Sequence, residues 1–173
     1  MPRINTIDAH VAGEAVRLIV GGGPSVPGRS MAGKLAWLRK HGEDLRQLLM
    51  LEPRGHAGMH GALLTEPVSP QAHAGLLFMH AGGFPLISGE GVIGAVTIAL
   101  EHKLIAGAGD EVVLDTPAGV VRARPQWDAL GLPAVALGAE AGARVTSVSL
   151  TGVPSFVHSA GVPIDIGTRM VTV

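Results

Sequence analysis

The sequence predicts an α+β domain of many short strands with two helical regions. Three observations favour this fold class. Twenty-five glycines and 12 prolines are spread over the 173 residues, which is typical of short elements joined by tight turns. Several runs alternate apolar and polar residues with the period of a strand. The segment Gly91–Leu100 is apolar on every side, so it is predicted to be a helix that is covered all round.

The first 53 residues predict two strands and an interrupted helix. Arg3–His10 and Ala15–Val20 alternate as strands do, and a glycine run ends the second. Ser30 is a good N-cap residue, and apolar side chains recur after it at helical spacing. Gly42 interrupts this pattern, so we expect a break or kink there. Two arginines of this helical region are expected on its solvated face: Arg39 and Arg46.

The remaining strands are predicted from short apolar runs bounded by turn residues. Two pairs are expected in the middle of the chain: Gly61–Thr65 with Gly75–His80, and Glu111–Asp115 with Gly119–Arg124 around the turn 116–118. Three later runs are also interpreted as strands: Arg144–Leu150, Ser155–His158 and Ile164–Val173. Pro125–Gly142 is rich in proline, alanine and glycine, so we expect a loop with at most one helical turn. All of residues 1–173 are assigned to a single domain, since no linker divides them.

Composition excludes several classes of function. Charged residues make up 16% of the chain and apolar residues 47%, with a mean hydropathy of +0.38, so a disordered chain is excluded. A net charge of -1 offers no electrostatic attraction for nucleic acid or an anionic membrane. The absence of cysteine excludes disulfides, thiolate zinc sites and thiol chemistry by this chain alone. No targeting segment or span of about 20 apolar residues is visible, and a cytoplasmic location is the default expectation.

The most informative segment is the glycine-rich turn that leads into the apolar helix. Ser88 stands in a good N-cap position for that helix. The backbone N–H groups of Gly89, Glu90 and Gly91 are expected to point out of the helix start, where the helix dipole is positive. This arrangement suits a carboxylate or phosphate. The alternative is that Ser88 simply caps a buried helix.

Other polar clusters carry weaker signals. Glu52–His56 packs three polar or titratable groups into a rigid bend. His56 and His60 are four residues apart, a spacing that suits a metal on a helix, but two glycines between them argue against a helix and no metal site is expected. Three polar residues near the end of the first strand form either a catalytic cluster or a polar strand end: Asp8, His10 and Glu14.

Taken together, these segments resemble the proline racemase family, which includes 4-hydroxyproline 2-epimerases and trans-3-hydroxyproline dehydratases. The resemblance is carried by six motifs: Ile7–Glu14, Leu49–His56, Leu77–His80, Ser88–Gly91, Thr116–Gly119 and Ser147–Phe156. The sequence Glu-Pro-Arg-Gly-His after a helix, with the glycine-rich helix start downstream, is its most specific part.

The resemblance implies one half of a diaminopimelate-epimerase-like fold, in which a curved, mostly antiparallel sheet wraps around a buried central helix. Members of the family pair two such halves, and both central helices begin at one cleft. Each helix start supplies one acid/base residue, usually cysteine, and its N–H groups hold the substrate carboxylate. Inversion at the α-carbon needs one such group on each face.

The chain departs from the family pattern in three ways. Ser88 replaces the usual cysteine, and a hydroxyl transfers protons poorly without a neighbouring base. Glu90 replaces a histidine, and it would repel the substrate carboxylate, act as a base for Ser88 or point away. The chain ends at Val173, at about half the family length, so a C-terminal half is expected to be missing. Its exposed interface predicts a homo-oligomer or poor solubility.

The implied function is cofactor-independent racemisation or epimerisation of proline or hydroxyproline. Ser88 is the candidate catalytic residue. Gly89, Glu90 and Gly91 are expected to bind the substrate carboxylate, and two further candidate substrate-binding residues come from the bend: Glu52 and His56. One alternative is a trans-3-hydroxyproline dehydratase, against which the serine counts. Another is an inert half that only binds a small carboxylate or a partner.

Overall fold

The structure is a computed structural model that describes residues 3–106, 109–128, 144–155, 159–167 and 170–172. These residues form three helices and nine strands, named here in chain order. The helices are α1 (Met31–His41), α2 (Glu43–Met50) and α3 (Gly89–Glu101). The strands are β1 (Asn5–Val11), β2 (Glu14–Gly21), β3 (His60–Thr65), β4 (Ala74–His80), β5 (Val112–Thr116), β6 (Gly119–Trp127), β7 (Val145–Thr151), β8 (Pro163–Asp165) and β9 (Met170–Thr172). None of the described helices is long and apolar enough to cross a membrane.

The break that Gly42 predicts is confirmed. Ser30 caps α1 by accepting the N–H of Gly33 at 3.0 Å. Gly42 ends α1 by donating its own N–H to the carbonyl of Leu38 at 2.7 Å, and α2 begins at the next residue. A Cβ at position 42 would lie 2.6 Å from a Leu38 side-chain carbon. The two helices therefore join closely only because residue 42 has no side chain.

The seven strands β1–β7 form one sheet in sequence order. Four neighbouring pairs are antiparallel, whereas β2–β3 and β4–β5 are parallel. A parallel pair needs a crossover connection, usually helical. The chain provides α1 and α2 between β2 and β3, and α3 between β4 and β5. The predicted pairs β3–β4 and β5–β6 are both confirmed.

The sheet curls around α3. Both of its edge strands, β1 and β7, pack against this helix, as do β2, β3 and β6. In a flat sheet of seven strands the two edges would lie about 29 Å apart, at about 4.8 Å a strand. A helix only about 10–12 Å across cannot contact both edges unless the sheet bends around it. This confirms the α+β fold class with a curved sheet around a buried central helix.

The central strand β4 divides two hydrophobic cores. Leu76 and Phe78 point to the concave face and pack in the core around α3. Leu77 and Met79 point to the other face and pack in the core beneath α1 and α2. Because successive side chains of a strand alternate between faces, one strand serves both cores. All four side chains are at most 1% exposed.

The predicted loop Pro125–Gly142 is wrong at its start, because β6 continues through Pro125 to Trp127. The pairing of β6 with β5 ends at Ala123, and beyond that residue β7 is the only described strand that pairs with β6. Proline lacks the N–H that an inner strand must donate, but an edge tolerates it. Residues 129–143 of the predicted loop lie outside the described residues.

The prediction of one strand over Ile164–Val173 is also wrong. The chain instead forms the antiparallel hairpin β8–β9. Asp165 accepts the N–H of Gly167 at 2.8 Å, and Gly167 has a φ of +81°, which glycine adopts readily. The predicted strand Ser155–His158 is not formed at Ser155, and its other residues lie outside the described ones.

Candidate active site

Ser88 is the N-cap residue of α3, as its sequence position predicts. Its backbone is extended, with φ -139° and ψ 122°, and its Oγ accepts the N–H of Gly91 at 2.9 Å. No hydrogen bond among the described residues uses the N–H of Gly89 or Glu90. The expected cradle of three N–H groups therefore has two free donors at the helix start, while the third is bound to Ser88.

Gly89 and Gly91 differ in what surrounds them. A Cβ at Gly91 would lie 2.9 Å from a ring carbon of Phe78 and 3.0 Å from Ser88 Oγ, so the packing of α3 requires glycine there. A Cβ at Gly89 would meet no heavy atom of the described chain within 4 Å. Gly89 is exposed, and its lack of a side chain leaves the helix start open to close approach.

His60 lies beside Ser88, with its Nδ1 3.3 Å from Ser88 Oγ. It is the first residue of β3 and is partly buried. Glu90 Oε2 lies 3.5 Å from the same hydroxyl, and Glu90 is exposed. The structure therefore brings an imidazole and a carboxylate to the Ser88 hydroxyl. From its sequence position His60 was considered only as a metal ligand. Its neighbourhood with Ser88 follows from the β3–β4 register, which places His60 opposite His80 at the end of β4, shortly before α3 begins.

The bend Glu52–His56 is held in place by Arg17. Its guanidinium donates to the carbonyl of Leu49 at 2.7 Å and to that of Arg54 at 2.6 Å. A Cβ at Gly55 would lie 2.4 Å from the carbonyl carbon of Met50, so the bend also requires glycine. Glu52 and His56 are both exposed, and no hydrogen bond among the described residues joins either to Ser88.

Asp8 forms an ion pair with Arg17. Its carboxylate accepts two hydrogen bonds from Arg17, at 2.8 and 2.7 Å. The carboxylate of Asp8 raises the pKa of the Arg17 guanidinium. His10 and Glu14 are exposed, and no hydrogen bond in the described part of the chain joins them to Asp8. Across the described segments no group of three or more His, Asp or Glu residues is placed to hold a metal ion.

Arg46 is buried, contrary to the expectation that it lies on the solvated face. It pairs with Glu43 and lowers the pKa of that carboxyl to about 2. It also donates to the carbonyls of His80, at the end of β4, and of Ala81, in the turn that follows. Arg39, which is exposed as expected, donates to the carbonyl of Phe84 at 2.9 Å. The two arginines therefore fix the segment that leads to Ser88.

The curved sheet around α3 and the exposed start of that helix define a class of α+β domain. Comparison with known sequences identifies the family. The family model for proline racemase matches residues 6–171, so the chain belongs to the proline racemase family, as its motifs indicate. Family members bear the names of racemases, epimerases and dehydratases.

Three relatives illustrate the match. The trans-3-hydroxy-L-proline dehydratase of Bacillus cereus is 40% identical over 163 residues, which cover 93% of this chain and 45% of that protein. The 3-hydroxyproline 2-epimerase of Burkholderia multivorans is 38% identical over 164 residues, covering 94% and 45%. The structure of a hydroxyproline epimerase from Agrobacterium vitis with bound trans-4-OH-L-proline has a TM-score of 0.81 at 30% identity, covering 98% of this chain and 47% of that one. The chain thus spans about 45% of the length of the curated relatives it matches.

Proposed function

We propose that this chain supplies one half of the active site of a cofactor-independent racemase or epimerase for proline or hydroxyproline. Residues 1–173 would form a single domain, equivalent to the N-terminal half of a two-lobed enzyme. The observation that carries the proposal is the position of Ser88. Its hydroxyl lies at the start of α3, beside two N–H groups that no described residue binds, and within 3.5 Å of an imidazole and a carboxylate.

The N–H groups of Gly89 and Glu90 are proposed to hold the substrate carboxylate. A helix start favours negative charge through its dipole and its unpaired N–H groups. Gly91 contributes differently, because its N–H orients the Ser88 hydroxyl. The bend Glu52–His56 is proposed to contact the rest of the substrate, since Arg17 holds this exposed segment rigidly. The bound trans-4-OH-L-proline of the Agrobacterium vitis relative supports this substrate class.

Ser88 is proposed to exchange the α-proton on one face of the substrate. Inversion also requires an acid/base group on the opposite face. Because the chain spans about 45% of its relatives, that second group is proposed to lie outside these residues. It would come from a C-terminal half, and a homo-oligomer of these residues alone is expected to racemise poorly because it lacks that group.

The test is proton–deuterium exchange at the α-carbon, followed by NMR in heavy water. L-proline, trans-4-hydroxy-L-proline and trans-3-hydroxy-L-proline are offered separately to the unsubstituted chain and to Ser88→Ala. The matched control is Ser30→Ala, which removes the same kind of cap from α1. We expect both variants to lose about 1 kcal/mol of stability. Only Ser88→Ala should lose exchange, and equal exchange in both variants would contradict the proposal.

A dehydratase is the second candidate, favoured by the 40% identity to the Bacillus cereus enzyme. Dehydration of a 3-hydroxyproline needs removal of the α-proton on one face only. The serine at position 88 counts against it, because the resemblance links dehydratases to cysteine there. In the same NMR experiment a dehydratase would eliminate water from trans-3-hydroxy-L-proline. It would not dehydrate trans-4-hydroxy-L-proline. The absence of exchange with every substrate would favour the third alternative, an inert half.

A further inference from the structure

We infer that His60 is the proton-accepting partner of the Ser88 hydroxyl. A serine hydroxyl has one proton to donate and two lone pairs to accept with. The N–H of Gly91 occupies one lone pair. The proton is then free to point at His60 Nδ1, 3.3 Å away, or at Glu90 Oε2, 3.5 Å away.

The position of His60 favours the imidazole over the carboxylate. His60 is held on both sides within the sheet, where Val16 of β2 and His80 of β4 are its register partners. Its side chain is partly buried, whereas Glu90 lies on the first helical turn and is exposed. An imidazole is also better matched than a carboxylate to proton transfer near neutral pH.

Three titratable groups surround the hydroxyl or its partner. Glu90 comes from α3 and His60 from β3, and both are within 3.5 Å of Ser88 Oγ. His80 of β4 lies directly opposite His60, so their side chains share one face of the sheet. The Nδ1 of His80 already accepts the N–H of Gly82 at 2.9 Å. His80 Nδ1 is therefore hydrogen-bonded within its own turn, whereas His60 Nδ1 is the imidazole nitrogen that contacts Ser88.

The chemistry of this pair rests on the proposed function. As the α-carbon loses its proton, the C–H electron pair stays on the substrate and is delocalised into the carboxylate. The α-proton bonds to Ser88 Oγ, while the original hydroxyl proton passes to His60 Nδ1. The net result is an imidazolium and a neutral serine, and the reverse step returns the proton. His60 is thus a positioning residue that acts through Ser88.

The pair can be tested without substrate, because the chain contains no cysteine. The Ser88→Cys variant introduces a single thiol whose rate of alkylation by iodoacetamide reports its ionisation. A free thiol has a pKa of about 8.5, and a neighbouring imidazolium lowers that pKa. We measure the alkylation rate from pH 5 to 9 in Ser88→Cys and in the double variants that add His60→Gln, Glu90→Gln or His102→Gln.

We expect His60→Gln to slow alkylation about tenfold or more below pH 8, which corresponds to one unit in the thiol pKa. His102→Gln is the matched control, because His102 lies at the far end of α3, and it should change nothing. Glu90→Gln should leave the rate unchanged or raise it, since a carboxylate disfavours a nearby thiolate.

Equal rates with and without His60 would overturn the inference. The inference would also be overturned if Glu90→Gln raised the pKa of the introduced thiol while His60→Gln left that pKa unchanged. Circular dichroism identifies a variant that does not fold, and His60→Asn then replaces it. The Ser88→Cys variant is informative even alone, because a thiol that titrates at or above the free value excludes an imidazolium partner. Alkylation that depends on His60, in a chain without α-proton exchange, would support the pair and contradict only the proposed function.

Discussion

Asp8 and Arg17 face each other across the β1–β2 ladder, and their side chains form a two-bonded ion pair. Arg17 then extends beyond the sheet to the carbonyls of Leu49 and Arg54. One guanidinium therefore joins the first hairpin of the chain to the bend that follows α2. The side chain of Arg17 is 12% exposed and that of Asp8 is 50% exposed.

Arg17→Met should destabilise the protein far more than Asp8→Asn. Loss of the guanidinium removes charge-assisted hydrogen bonds and leaves two carbonyls without a donor, at a cost of about 2–4 kcal/mol. Asp8→Asn weakens only an exposed ion pair, which is worth about 1 kcal/mol or less. Urea denaturation of both variants measures the difference, and similar losses in the two would show that the carbonyl contacts contribute little.

Gly94→Ala should disrupt the packing of α3 on β2. A Cβ at Gly94 would lie 2.7 Å from Val16 Cγ1 and 2.9 Å from Val16 Cβ. Overpacking of this kind costs about 1–3 kcal/mol. The comparison is the double variant Gly94→Ala/Val16→Gly measured against Val16→Gly alone, because only glycine at position 16 removes all the Val16 side-chain atoms near the added methyl group. If thermal denaturation shows no added loss for Gly94→Ala alone, α3 can shift away from the sheet.

Gly89→Ala should separate stability from binding. Alanine is favoured over glycine in a helix by up to about 1 kcal/mol, and no described atom lies near the new methyl group. The variant should therefore be as stable as the unsubstituted chain or more so. If the substrate carboxylate approaches the N–H of Gly89, the methyl group should weaken the binding of hydroxyproline severalfold. An NMR titration measures this affinity, and unchanged binding would place the carboxylate elsewhere.

Protonation of Glu43 in acid should lower the free energy of unfolding. Arg46, its first partner, lowers its pKa from 4.5 to about 2. A carboxyl whose pKa is depressed in the folded state stabilises that state fully above its unfolded value. The contribution disappears as pH falls from about 4.5 to about 2. The difference in unfolding free energy between the unsubstituted chain and Glu43→Gln should therefore shrink over that range.

The difference in unfolding free energy between the unsubstituted chain and Glu43→Gln separates the contribution of Glu43 from that of a second acidic group, Glu111. Arg122 and Arg124 also lower the pKa of Glu111, which gives the same sign of pH dependence. Glu111 is present in both proteins, so its contribution cancels. Urea denaturation at pH 6 and at pH 2.5 measures the change, and a constant difference would mean that the Arg46 contact does not persist in solution.

Local patterns in the sequence predicted most of the sheet and both helical regions, the first of which is divided into α1 and α2 at Gly42. Ser30, Gly42 and Ser88 mark helix ends through capping chemistry that depends only on near neighbours. The apolar run of α3 predicted its burial, since a helix without a polar face must be covered. The end of the chain was mispredicted as one strand, because the Asp165–Gly167 turn interrupts a run of alternating apolar and polar residues.

Contacts between distant parts of the chain could not be predicted in this way. His60 and Ser88 are 28 residues apart, and only the sheet register and the turn after β4 bring them together. The spacing of the apolar residues around Arg46 predicts that it lies on the exposed face of a helix. It is buried because the carbonyls of His80 and Ala81 satisfy its guanidinium from another part of the chain.

The closure of the sheet around α3 has a consequence for how quickly the chain folds. The helix at 89–101 must meet strands at 5–11 and at 145–151 before its apolar surface is fully covered. Contacts between such distant segments require large loops to close first, which slows folding. We therefore expect this domain to fold in about milliseconds to seconds, like other sheet-rich topologies, rather than in the microseconds typical of helical bundles. Until the two edge strands pack against it, α3, the most apolar of the described helices, is only partly covered, and chain–chain association competes with folding during that interval.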